Sequence, residues 1–328
     1  MQTSYIYSVS RVNALAQFLL SKNDIERLFV AEAGTDLQSA LKETYLAPYL
    51  THVPNDDVSL AIEETLIQAK KLVHGLAPKG DMFRVLWVQY DIHNLRVLAK
   101  ASAKQMSLAE IKPFLSSRGI YEAEYLATQA ENNSLNNLQT GWQEAYVEAV
   151  EMVSTGNISA VDGIFDNLYF TTCQRMVDKT GDAFIKQYLA RKIDLYNIKS
   201  RLRHLKNEGV KFTPAFVKGG TFWEDKTETL EDTLATLAAL GPADFFKEGI
   251  EYYQTTGNTT KIDVLGNESL LTLAKEASHD MFSSASLVLY YLKCRQAAAN
   301  IRTIVVGKNS GMSESDIRFN LSLAYVNN

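Results

Sequence analysis

The chain has 328 residues, of which 46% are hydrophobic and 22% are charged, and its formal net charge is −5. This length suits two or three globular domains, and the composition excludes a disordered or fibrous protein. The acidic balance argues against nucleic acid as the main partner, because phosphate binding requires a clustered excess of Lys and Arg. Two cysteines are too few for a disulfide framework and favour a reducing compartment.

Apolar residues at helical spacing predict four helices in the first hundred residues. The first is expected over residues 6–33, with Gly34 as its C-cap. The others are expected over residues 37–45, 60–73 and 82–103. Long stretches without Gly or Pro support these assignments, since those residues are the usual helix breakers.

The same pattern continues to the end of the chain. The further helices are predicted over residues 123–131, 138–153, 160–178, 183–207, 230–240, 243–253, 269–278 and 285–306. Residues 307–311 are expected to form a turn, and Ser313 to cap a short final helix. Every predicted element is helical, so the predicted fold class is all-α.

One six-residue segment occurs three times in the chain, at residues 91–96, 194–199 and 297–302. We call these the signature segments. Their asparagines are Asn94, Asn197 and Asn300, and both intervals are 103 residues (197 − 94 and 300 − 197). The constant interval predicts three pseudo-repeated helical domains, at residues 1–109, 110–212 and 213–328.

Each signature asparagine lies in or beside the apolar stripe of a long helix. A buried amide must satisfy its donors and its acceptor, so we expect each one to bind a neighbouring helix or loop. Asp91 and Asp194 precede their asparagines by three residues, close enough on a helix to share one partner. Ala297 stands at that place in the third segment, so the carboxylate is not essential to the repeat.

Arg96, Lys199 and Arg302 close the three segments. They can form salt links between adjacent helices, or they can line a surface that meets a partner; both interpretations stay open. The neighbouring His93 could suggest metal binding or acid–base catalysis, but Tyr196 and Ala299 occupy its place in the other copies. That variation favours a structural role for the segment.

No catalytic, cofactor-binding or metal-binding residue is predicted, because the HExxH, GxSxG and CxxC patterns are absent. Lys218 precedes Gly219 and Gly220, whereas a phosphate loop needs Lys after its second Gly, so a turn is expected there. The acidic residues within 224–232 either cap a helix or contact a partner. No run of eighteen apolar residues and no signal peptide occur, so we expect a soluble cytoplasmic protein without a membrane span.

Several segments resemble the C subunit of bacterial and archaeal A/V-type rotary ATPases, whose eukaryotic relative is the d subunit. The resemblance lies in residues 7–15 with Leu19 and Leu20, in residues 194–199 followed by 218–220, and in residues 300–302 followed by 305–308. It extends from about residue 5 to residue 320. The threefold internal repetition and the length agree with it as well.

The resemblance implies an all-helical, funnel-shaped collar between the rotor shaft and the membrane proteolipid ring. Its partners would be the central-shaft subunits D and F and the ring, at the cytoplasmic face of the membrane. Its role would be non-catalytic coupling during ATP-linked proton or sodium transport, with no cofactor and no nucleic acid. Two alternatives stay open: an unrelated helical-repeat scaffold that binds a partner helix or peptide, and an enzyme whose site is assembled from distant residues.

Overall fold

The computed structural model describes residues 5–78, 80–102, 104–206, 216–221 and 229–326. These residues form α-helices joined by turns and short 3-10 segments, and they contain no β-strand. The all-α prediction is therefore confirmed.

Sixteen α-helices occur in the described residues. They are α1 (Ile6–Ala16), α2 (Lys22–Val30), α3 (Thr35–Leu41), α4 (Ala47–Leu50), α5 (Val58–Leu76), α6 (Arg84–Ser102), α7 (Leu108–Ile111), α8 (Ala123–Glu131), α9 (Trp142–Ser154), α10 (Ile158–Thr180), α11 (Ala183–Lys206), α12 (Leu230–Ala238), α13 (Lys247–Thr256), α14 (Thr260–Ala277), α15 (Ala285–Asn309) and α16 (Glu314–Phe319). The three signature segments lie on α6, α11 and α15, which are among the longest of these helices.

The helices group into two compact units. One contains α1–α5, the second half of α11 and α12–α16; within it, α15 packs against α1, α5 and α14. The other contains α6–α10 and the first half of α11; within it, α6 packs against α8, α9 and α10. The division into three domains at residues 1–109, 110–212 and 213–328 stays a prediction.

The predicted single helix over residues 6–33 is wrong, because α1 ends at Ala16 and a new helix starts at Lys22. Ser21 starts the second helix through a capping box with Asp24. The Ser21 hydroxyl accepts from the Asp24 backbone N–H (3.1 Å), and the Asp24 carboxylate accepts from the Ser21 N–H (2.9 Å). Gly34 is also misassigned: with φ of 96° it precedes α3 as its N-cap.

The predicted turn over residues 307–311 is wrong in its first half, since α15 continues through Gly307 to Asn309. Gly307 is there because α16 approaches closely: a Cβ at this position would lie 2.6 Å from Cγ1 of Ile317. The predicted cap of the final helix is confirmed. The Ser313 hydroxyl accepts from the Asp316 backbone N–H at 3.1 Å.

Each unit has its own apolar core. Trp87, Trp142 and Phe165 are fully buried in the unit that contains α6–α10, and the Trp142 indole N–H donates to the Thr172 hydroxyl (3.1 Å). In the unit that contains α15, Tyr291 is fully buried. Within the described ranges, no helix is long and apolar enough to cross a bilayer.

Candidate functional site

Asn94 on α6 holds the linker that follows its helix. Its side chain is fully buried, Nδ2 donates to the Ser116 carbonyl (2.9 Å), and Oδ1 accepts from the Ser116 N–H (2.8 Å). Ser116 lies between α7 and α8. The amide oxygen and nitrogen of Asn94 therefore satisfy both backbone polar groups of Ser116. In a β-sheet, a neighbouring strand would provide these two hydrogen bonds. We call this arrangement the amide latch.

Asn300 on α15 repeats the amide latch in the other unit. Its Nδ2 donates to the Ser322 carbonyl (2.7 Å), and its Oδ1 accepts from the Ser322 N–H (3.2 Å). The partner is 22 residues further along the chain in both copies. The Tyr325 hydroxyl is a second, longer acceptor of Nδ2 at 3.4 Å. Two signature asparagines thus have the same geometry at the same separation.

Asp91 binds a different part of the same linker. Its buried carboxylate accepts from the backbone N–H groups of Ile120 (2.8 Å) and Tyr121 (3.1 Å), which precede α8. Gly119 makes this approach possible, because a Cβ there would lie 2.3 Å from Oδ1 of Asp91. Ala297, which is also fully buried, provides no acceptor at the corresponding place in α15.

The middle copy on α11 is buried in the same way as the outer two. Asp194 is 1% exposed and Asn197 is 7% exposed, and both residues have interaction partners. A buried carboxylate and a buried amide without partners would each be costly, so these contacts stabilise the folded chain.

Arg96 and Lys100 on α6 form an ionic cluster with two aspartates on α10. Nη2 of Arg96 lies 2.7 Å from Asp166, and its Nε lies 3.5 Å from Asp162. The Lys100 ammonium is 3.1 Å from Asp162. Asp162 and Asp166 are one helical turn apart, so both carboxylates face α6.

The other two signature cations differ from each other. Lys199 on α11 is paired with Asp263 on α14. Arg302 on α15 is exposed, and it has no ion pair or hydrogen bond with any part of the chain that the structure describes. The cations of the first two copies are therefore neutralised on a neighbouring helix, whereas the third is not.

Two further basic residues tie the end of the chain to α2, and the sequence analysis missed both. The Lys308 ammonium donates to the carbonyls of Phe29 and Ala31 at the C-terminal end of α2. Arg318 forms a bidentate pair with Glu26 (2.8 and 2.6 Å) and stacks on the Phe29 ring at 4.0 Å. Hydrogen bonds to Glu26 and Glu314 raise the pKa of Arg318, and the bond from Arg318 lowers the pKa of Glu26.

His93, the Lys218 turn and the acidic stretch 224–232 were considered as possible chemical sites, and their described residues make structural contacts. His93 is exposed, and its Nε2 lies 2.9 Å from the Phe114 carbonyl. The Lys218 carbonyl accepts from the Gln174 amide. Of the acidic stretch 224–232, residues 224–228 lie outside the described residues, and Thr229 caps α12 by accepting from the Asp232 N–H (3.1 Å). Among the described side chains, no group of three or more His, Cys, Asp or Glu could hold a metal ion.

Both cysteines are buried thiols. Cys173 lies in α10 and Cys294 in α15, and burial raises the pKa of each to about 12. A nucleophilic cysteine needs a low pKa and access to solvent. Neither thiol meets these conditions.

Comparisons with known proteins agree with this architecture. The model of the ATP synthase (C/AC39) subunit family matches residues 8–319. The chain belongs to this family. It is 19% identical to the C subunit of the V-type sodium ATPase of Enterococcus hirae over 94% of both chains. It is 22% identical to the C subunit of the A-type ATP synthase of Methanosarcina mazei, over 96% of this chain and 92% of the relative.

A third relative is the C subunit of the V-type ATP synthase of Deinococcus radiodurans, 22% identical over 67% of this chain and 66% of the relative. Membership of the ATP synthase (C/AC39) family makes the chain a structural subunit of a membrane-associated rotary ATPase and not its catalytic one. It also excludes the alternative of a helical-repeat scaffold unrelated to these complexes.

Proposed function

We propose that this chain couples the rotor shaft of an A/V-type ATPase, made by subunits D and F, to the membrane proteolipid ring at the cytoplasmic face. In this role it transmits rotation during ATP-linked proton or sodium transport, and its three helical repeats form a funnel-shaped collar. The observation that carries the proposal is the match of the ATP synthase (C/AC39) family over residues 8–319.

The internal contacts support a mechanical role. A part that transmits torque must resist shear between its helices and the loops that join them. The amide latches of Asn94 and Asn300 fix the linker before α8 and the segment after α16 by paired hydrogen bonds, and Asp91 fixes a third backbone contact. Dense cores add to this stiffness, because close-packed interiors transmit strain with little compression.

The test uses membrane vesicles that contain the whole ATPase, in which ATP hydrolysis and ion uptake are measured together. Without this chain, we expect hydrolysis to continue while ion uptake falls to background, because the shaft then no longer drives the ring. Adding back the purified full-length chain should restore uptake. Normal uptake in vesicles that lack the chain would contradict the proposal.

A second measurement tests the two partners separately. The full-length chain is mixed with purified subunits D and F, and in another sample with purified proteolipid ring in detergent. We expect a stable complex on size-exclusion chromatography in each case. Binding to only one of them would contradict a role as the joint between the two.

A further inference from the structure

A groove of about 580 Å³ lies between α14 and α15 and extends to Met312 and Asn320, which flank α16. Its walls are two stripes of side chains, one on each long helix, spaced three or four residues apart. The lining residues include Val264 on α14, Arg302, Thr303 and Val306 on α15, and Met312 after α15. A groove bordered by two helices is a surface on which the side chains of a third helix can pack.

Most of the exposed surface of the groove is apolar, although Asn, Gln and Thr side chains of α14 and α15 also line it. Val306 is 55% exposed and Met312 is 44% exposed, although both are large hydrophobic residues. Arg302 is one of the residues that line the groove, and it forms no ion pair within the described residues. Asp263 also borders the groove, but Lys199 neutralises it. The remaining charge of the groove is therefore the Arg302 guanidinium.

The first repeat shows what covers this face when it is occupied. Arg302 and Val306 correspond to Arg96 and Lys100, which are at the same places after the signature asparagine on α6. On α6, that face is covered by α10, whose Asp162 and Asp166 bind the two cations. The same face of α15 borders an open groove.

We propose that this groove binds a helix of a partner protein that carries a carboxylate for Arg302 and an apolar side chain for Val306 and Met312. The expected helix differs from α10 in one respect. On α10, Asp162 faces Lys100, but Val306 stands at the place of Lys100 on α15, so the partner helix should have an apolar side chain there. Charge complementarity at Arg302 selects an acidic helix over a basic one. This inference rests on the proposed function only because the partner is sought in the assembled ATPase.

The test is site-specific photo-crosslinking in the assembled complex. Val306→Cys in the full-length chain is labelled with a maleimide–benzophenone reagent, the complex is irradiated, and the crosslinked peptide is identified by mass spectrometry. The native Cys173 and Cys294 are buried and should not react under these conditions. Lys186→Cys, at an exposed position on α11, gives the background.

We expect a crosslink to a helical segment with an Asp or Glu at the place facing Arg302. Adding Arg302→Glu should lower the crosslink yield about three- to tenfold, and changing that partner carboxylate to Lys should restore it. The control Lys186→Glu makes the same change in charge and should leave the yield unchanged. Arg302→Glu should also leave the melting temperature of the free chain unchanged, because its side chain is exposed.

Four results would overturn the inference: no crosslink above background, a crosslink to a second copy of this chain, a crosslink to its own segment 224–228, or a yield that Arg302→Glu does not change. Failure of the proposed function has a different signature. In that case the labelled chain would not be recovered with the ATPase at all. If the chain is recovered with the ATPase but forms no crosslink, only the proposal that the groove binds a helix is rejected.

Discussion

The helices that carry the first and third signature segments, α6 and α15, share their amide chemistry and differ in their charges. Asn94 and Asn300 each bind a backbone segment 22 residues ahead through both amide atoms. Asp91 binds two further N–H groups, whereas the buried Ala297 binds none. The amide latch is thus common to these two segments, and their charged positions differ with the surroundings.

The basic residues at the end of the first and third signature segments also differ in their surroundings. Arg96 lies within an intramolecular ionic cluster, while Arg302 borders an open groove. A position that recurs in an internal repeat therefore need not have a repeated function. Substitutions can test whether the asparagines have a shared role while the charged residues do not, and the largest effect is expected for a buried charge.

The largest effect is expected from placing the missing carboxylate into the third copy. Ala297→Asp would put an uncompensated charge into a fully buried site, which typically costs about 3–5 kcal/mol of the free energy of unfolding. Urea denaturation followed by circular dichroism measures it. The control is Ala299→Asp on the exposed side of the same helix, where we expect almost no change. Equal stability of the two variants would contradict the comparison.

Removing the carboxylate from the first copy is the converse experiment. Asp91→Ala leaves the N–H groups of Ile120 and Tyr121 without their acceptor, and we expect a loss of about 2–3 kcal/mol in the same assay. Gly119→Ala should cost about 1–3 kcal/mol by a different route, because its methyl group displaces the carboxylate. If both variants melt like the wild type, Asp91 does not fix this linker.

The signature asparagines should be equally important in all three copies. Asn94→Leu, Asn197→Leu and Asn300→Leu should each lower the free energy of unfolding by about 1–3 kcal/mol, because buried polar groups lose their partner. Asn267→Leu, on the exposed face of α14, is the matched control and should have little effect. An effect in only one copy would show that the amide is not a shared device.

Alkaline pH should destabilise both units through their buried thiols. The pKa of Cys173 and of Cys294 is raised from 9.0 to about 12 in the folded chain, so the folded state holds these protons more tightly than the unfolded state. Their contribution is complete below pH 9.0 and decreases as the pH rises toward 12, by about 1 kcal/mol per thiol at pH 10.

The measurement is thermal unfolding between about pH 8 and 11 for the wild type and for Cys173→Ala and Cys294→Ala. Each variant starts from a lower stability, because it loses packing, but it should lose less with rising pH than the wild type does. An identical slope for all three proteins would show that the thiols do not cause the alkaline loss.

The smallest effects concern the signature cations. Arg96→Ala should cost about 0.5–1 kcal/mol, since its ion pairs are partly exposed and such pairs are weak. Arg302→Ala should change stability by less than about 0.5 kcal/mol, because it has no partner to lose among the described residues. A larger loss of stability for Arg302→Ala than for Arg96→Ala would contradict the assignment of ion pairs to Arg96 alone. Urea denaturation of the free chain resolves the two.

The sequence predicted the helices wherever local signals were strong. Both ends of α8 and the first residue of α11 were predicted correctly, because apolar periodicity and breakers agree there. The predicted last residue of α11, Asn207, lies outside the described residues. The break between α1 and α2 was missed although the Ser21 capping box is a local signal. Gly307 inside α15 could not be foreseen, because its cause is contact with Ile317, which comes from another helix.

By itself the sequence determined the all-α class, the family resemblance and the equal register of the signature segments, since these depend on local periodicity and on spacing along the chain. Only the tertiary structure decided which backbone groups Asn94, Asn300 and Asp91 bind, and that Arg96 is paired while Arg302 borders an open groove. The physical reason is that a hydrogen bond or an ion pair depends on distances of a few ångströms between residues far apart in the chain. Arg96 and Arg302 therefore have different contacts at the same place in their segments, because the helices around them differ.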